Sequence, residues 1–134
     1  MADLKESSCS LLSTTTVSLE ADATTTLYTV PVGKTCILSH AIVVLGLTDA
    51  ADAGATTTMS IGTSASPSVD FCATNTLTNL DAVGDCVILK PIPNTTPLKS
   101  KIYAAGAVIA ATVASQSGTG SSELSKVYLY GTLY

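Results

Sequence analysis

Residues 35–45 form a run of ten or so positions that is apolar whichever way it is read. In an extended chain successive side chains point to opposite faces. Strict alternation puts Cys36, Leu38, Ile42 and Val44 on one face and Ile37, Ala41, Val43 and Leu45 on the other. A strand with one face in water keeps that face polar, so this run reads as a central strand or one whose outer face is covered by a neighbouring subunit. It is too short to cross a bilayer, as is the apolar stretch 104–114, and both contain polar residues. No membrane partner is expected.

The rest of the chain has the same period. Residues 15–20 alternate, with Val17 and Leu19 together, and residues 25–30 repeat the pattern. Pro31, Val32, Gly33 and Lys34 read as a tight turn, because Pro presets one dihedral and Gly tolerates a positive one. A short strand is expected over 56–61, with Met59 and Ile61 pointing together, and further strands over 69–73, 86–90 and 101–104. Residues 48–55, 62–68, 75–85 and 116–122 read as loops, and Pro91, Pro93 and Pro97 make an extended connection. The alanine-rich segment 107–114 admits a helix, but Gly106, Val108 and Thr112 favour a strand. Residues 126–134 close the chain as an alternating strand. Eight or nine short strands without a helix predict an all-β fold: a single antiparallel β-sandwich domain over 1–134, of jelly-roll or Greek-key type.

Charge is where the composition departs from the ordinary. Only 12% of the 134 residues are charged, where about 25% is typical. The polar cover is Thr, Ser and Asn, which implies that part of the surface is hidden in an assembly. The net charge is −4, with six scattered basic residues. Nucleic-acid binding needs clustered Lys and Arg to release counterions, so no such partner is expected. The first six residues lack a basic start followed by an apolar stretch, so synthesis and folding in a bacterial cytoplasm are expected. Cys9, Cys36, Cys72 and Cys86 include no CxxC pair, and three lie in apolar runs; they read as free structural thiols.

A search for chemistry returns little. His40 is the one histidine, and its alternation neighbours Leu38 and Ile42 place it in a core or interface. Cys36 lies four residues away along the strand, ~13 Å at the usual rise and out of hydrogen-bond reach. Gly33, Lys34 and Thr35 imitate the end of a phosphate-binding loop, but Tyr28 stands where the pattern needs glycine and a strand follows instead of a helix. Asp49 with Asp52, and Asp81 with Asp85, are too sparse for a calcium loop and read as solvated acids. No catalytic residue, cofactor or metal ligand is assigned.

The aromatics point elsewhere. Of five tyrosines, Tyr128, Tyr130 and Tyr134 share one face of the last strand, while Val127, Leu129 and Leu133 share the other. One face should pack the core and the other should meet a partner, since tyrosine offers rigid contact area with a polar tip. The candidate interface residues are therefore Tyr128, Tyr130, Tyr134, Ile37 and Val43.

Residues 27–35, running into the apolar strand 36–45, resemble an opening segment of small virion proteins of tailed bacteriophages. The ending 127–134 is similar to their terminal strand. The resemblance implies a β-sandwich that assembles as trimers or rings on heads or tails. Its expected function is that of a non-enzymatic capsid decoration (cement) protein, a homotrimer bound to the major capsid protein or another virion protein. The alternative is a tail-fibre or baseplate module whose loops 48–55 and 75–85 bind a receptor or glycan.

Overall fold

The computed structural model describes residues 9–19, 21–45, 57–63, 70–77, 80, 82, 84–91, 102–114 and 124–134. The expected loop 48–55, the Pro93 and Pro97 connection, the turn 116–122 and the carboxylates of Asp49, Asp52 and Asp81 lie outside them. Among the described residues there are nine strands: β1 (Ser10–Ser18), β2 (Ala23–Thr29), β3 (Cys36–Leu45), β4 (Thr58–Gly62), β5 (Cys72–Thr76), β6 (Cys86–Leu89), β7 (Ile102–Tyr103), β8 (Val108–Ala114) and β9 (Leu124–Leu133).

They form two sheets. One has the order β1-β9-β3-β6, with the two-residue β7 also pairing β3; the other has the order β2-β8-β4-β5. Every pairing is antiparallel. The chain runs out through β1 to β4, turns back at the β4–β5 pair, and returns so that β6 meets β3, β8 meets β2 and β9 meets β1. Successive pairs fall in alternate sheets. With β7 set aside, this is the eight-stranded double-sheet wrapping of a jelly roll. The alanine-rich segment is strand β8, because Ile109, Ala111 and Val113 fill the interior while Ala110 and Thr112 face away from it.

Alternation decides what is buried. Val17 and Leu19, Met59 and Ile61, and Val127 and Leu129 are all at most 1% exposed and join one core with Phe71 and Leu45. The turn between β2 and β3 closes with the Lys34 amide donating to the Pro31 carbonyl at 3.1 Å. Gly33 has φ +77°, the left-handed conformation that the third position of a type II turn requires. Pro31 occupies the first position of that turn. The ladder continues past β9, where Thr35 and Tyr134 exchange both backbone hydrogen bonds, at 2.8 and 3.0 Å.

Strand β3 departs from strict alternation, and this corrects one expectation. The register against β9 shifts between Leu38 and His40, so Ser39 is an extra residue on β3. Such a bulge flips the phase of everything after it. Cys36 and Leu38 face inward before it; Ala41, Val43 and Leu45 face inward after it. Val43 is fully buried and cannot be an interface residue, whereas Ile37 remains on the outer face. Of the two places expected for His40, core or interface, the core is excluded: the ring lies half-buried on the outer face, away from Cys36.

Candidate functional site

The outer face of the five-stranded sheet carries the exposed apolar surface. Paired residues in an antiparallel ladder share a face, so the register gives its rows directly. One row is Thr16, Lys126, Val44 and Cys86; the next is Thr14, Tyr128, Ile42 and Ile88. A third is Leu11, Tyr130 and His40, and beyond it Thr132, Ile37 and Ile102 lie side by side. Leu11, Ile88, Ile102 and Tyr134 are 49%, 52%, 53% and 60% exposed. Tyr128, Tyr130, Ile37, Ile42 and Val44 are half-buried by one another.

Four of the five candidate interface residues are on this surface: Tyr128, Tyr130 and Ile37 within it and Tyr134 at the end of its central strand. Sequence reasoning missed Ile42, Ile88, Ile102 and Leu11. Ile42 was assigned the wrong companions because the bulge at Ser39 leaves no mark in a pattern of alternate apolar residues. Four strands at the usual spacing make the face about 19 Å wide, and ten-residue strands make it about 30 Å long. That is roughly 600 Å², comparable with the ~800 Å² each partner contributes to a standard interface.

Tyr130 is the fixed point of the face. β1 is bulged between Leu11 and Ser13, and β3 between Leu38 and His40, so irregularities flank Tyr130 on both sides. Its ring stacks on His40 with centroids 4.7 Å apart and planes 8° from parallel. His40 Nδ1 is hydrogen-bonded to Ser39 Oγ at 2.9 Å. Among the described residues no other side chain hydrogen-bonds the ring.

Among the described residues the charges on the face have one sign. Lys126 lies in its first row, and Lys90 follows Leu89, the partner of Ala41, so the same ladder continued brings Lys90 beside His40. None of the described acids, Asp22, Asp70 and Asp85, belongs to these rows. Asp70 is turned to the other sheet, accepting from the Thr63 amide and, at 2.8 Å, from the Thr63 hydroxyl. Among the described residues no group of three His, Cys, Asp or Glu side chains is placed to hold a metal ion.

The loop proposed to bind sugars begins later than expected. Asn75 and Thr76 end β5, and Leu77 and Leu80 are buried. The Asn75 amide donates to the Ala73 carbonyl at 2.6 Å and to Cys72 Sγ at 3.1 Å, so it is committed to its own strand.

The cysteines divide in two. All four are free; Cys36 and Cys72 are buried, whereas Cys9 and Cys86 are exposed. Burial pushes the Cys36 and Cys72 thiols up, and for Cys72 the Asn75 hydrogen bond partly opposes the rise. Since the thiolate is the nucleophile, a chromogenic disulfide reagent should modify two thiols at once. The other two should react only on unfolding, and four thiols reacting together would contradict this packing.

Tyr103 is the buried group most affected by its surroundings. Its hydroxyl is buried without a hydrogen bond of good geometry. Desolvation first, and then the nearby Asp70 charge, hold its pKa well above the usual phenol range. An unfolded tyrosine loses its proton near pH 10. The folded state then holds a proton that the unfolded state has released, so stability falls as pH rises above about 10. Urea midpoints measured at pH 9 and pH 11 should show a drop that Tyr103→Phe reduces; an equal drop in the variant would exclude Tyr103 as a source.

No family model matches the chain, and no curated protein or solved structure matches it either.

Proposed function

We propose that this chain is a non-enzymatic structural protein of a tailed-bacteriophage virion, a capsid decoration protein that stabilises the head by bridging capsid subunits. The observation that supports it best is the outer face of the five-stranded sheet. It is a broad apolar and aromatic surface in a chain with only 12% charged residues. Surfaces of this size and character mark protein contacts. Covering them removes apolar area from water, and that free energy adds to the cost of separating the joined subunits. The jelly roll is used by viral capsid proteins, which is support by analogy of fold alone. In this reading the protein acts as a homotrimer in the virion, made in the host cytoplasm, with the major capsid protein as its partner.

The same scaffold is used by lectins, which keeps the tail-fibre or baseplate reading as the alternative. The commitment of Asn75 to its own strand weighs against it.

The test is cosedimentation of the purified chain with expanded, undecorated phage heads, together with sedimentation of the chain alone over a wide concentration range. Self-association and saturable binding to heads are expected. A chain that stays monomeric and ignores the heads would remove the proposal, and clear hits on a glycan array would replace it with the alternative.

A further inference from the structure

The bulge that flips β3 also builds a cleft. It puts Ser39 and His40, consecutive residues, on the solvent side of the sheet. Together with Ile88, Lys90 and Pro91 they line an open hollow of about 390 Å³ at the β6 edge of the apolar face.

The polar groups of this cleft are held and unbalanced. Stacking on Tyr130 fixes the plane of the His40 ring, and Ser39 engages Nδ1. That leaves Nε2 as the ring nitrogen without a partner among the described residues. Lys90 is exposed and makes no ion pair among them. An imidazole, an ammonium and a hydroxyl thus converge between the apolar walls of Ile88 and Pro91, in a chain whose overall charge is −4.

We infer that this cleft is a carboxylate subsite, receiving an aspartate or glutamate side chain of the protein that docks on the sheet face. The inference rests on the docking role proposed above. A carboxylate accepts at two oxygens, which an ammonium and an imidazole N–H can serve together. The methylenes that carry it suit the walls of Ile88 and Pro91. Phosphate fits less well, because it favours guanidinium forks or a helix N-terminus. The chain has no arginine, and the described residues contain no helix. Nor does the face suit a second copy docked face to face: with Lys90 and Lys126 but no described acid in its rows, two such faces would bring like charges together.

The experiment follows backbone and His40 ring resonances while N-acetylglutamate, N-acetylglutamine (both as α-carboxamides, so that only the first carries a carboxylate) or inorganic phosphate is added. N-acetylglutamate should give saturable shifts at Ser39, His40, Ile88 and Lys90, with a dissociation constant on the order of tens of millimolar, as for a single exposed charge-assisted contact. Lys90→Gln and His40→Gln should each weaken it fivefold or more. Equal binding of N-acetylglutamine, tighter binding of phosphate, or no effect of Lys90→Gln would overturn the carboxylate assignment. The docking role is read separately. If N-acetylglutamate binds as expected but the chain neither self-associates nor binds heads, the subsite survives and the docking reading fails. If docking is intact in the two glutamine variants, the docking reading survives and the subsite fails.

Discussion

Gly131→Val should leave no folded protein, and even Gly131→Ala should lower stability by about 2–3 kcal/mol, the upper range for overpacking. Gly131 lies near the end of β9, between Leu38 of β3 and Ser10 of β1. A Cβ built there would stand 2.5 Å from the Ile37 carbonyl oxygen and 2.9 Å from Leu12 Cδ1. The leucine tip can rotate away. The carbonyl cannot, because it belongs to the backbone of the adjacent central strand. β9 and β3 would have to separate at the bulge, where the register is already irregular. Urea unfolding of Gly131→Ala beside Thr132→Ala measures this. Thr132 is half-buried on the outer face and its truncation should cost well under 1 kcal/mol. Equal midpoints for the two variants would mean that the strands are not packed this closely.

The second large effect concerns assembly and not folding. Ile42→Ser with Tyr128→Ser should weaken association with the partner a hundredfold or more while the chain remains folded. The two residues are cross-strand partners in the middle of the outer face. Central aromatic and apolar residues of an interface commonly cost about 2 kcal/mol or more each when truncated, and a hundredfold corresponds to about 2.7 kcal/mol. Neither side chain enters the interior, where Val43 and Val127 lie on the opposite side of the same two strands. The readout is cosedimentation with heads, with far-ultraviolet circular dichroism and the weight-average mass of the chain alone as controls that should not change. A folded double variant that binds as tightly as the native chain would move the docking surface off this sheet.

These two sites differ in how they could have been found. Tyr128 and Tyr130 were legible because β9 keeps a regular period: Val127 and Leu129 go in, and the residues between them go out. Gly131 was silent, since a glycine in a strand looks the same whether it is a tolerated gap or a forced close approach. Ile37 was placed correctly and Val43 was not, although they seemed equivalent by count. One inserted residue at Ser39 separates them. Cys86 pairs with Val44 in the outer row, and its thiol is exposed.

The sequence by itself determined the class of structure. Alternating side chains, β-branched residues and frequent breakers can bury an apolar face only by pairing into sheets and stacking them, and the shortage of charge shows in composition alone. Tertiary structure decided which strands became neighbours, where the ladder slipped, and hence which apolar face met water. Those choices depend on contacts between residues a hundred positions apart, such as the Ser125 hydroxyl donating to the Val17 carbonyl at 3.0 Å. A local pattern has no term for a slip that trades one ladder position for better packing across two sheets. The cleft at His40, built from β3, β6 and β9 around such a slip, exists only once that trade has been made.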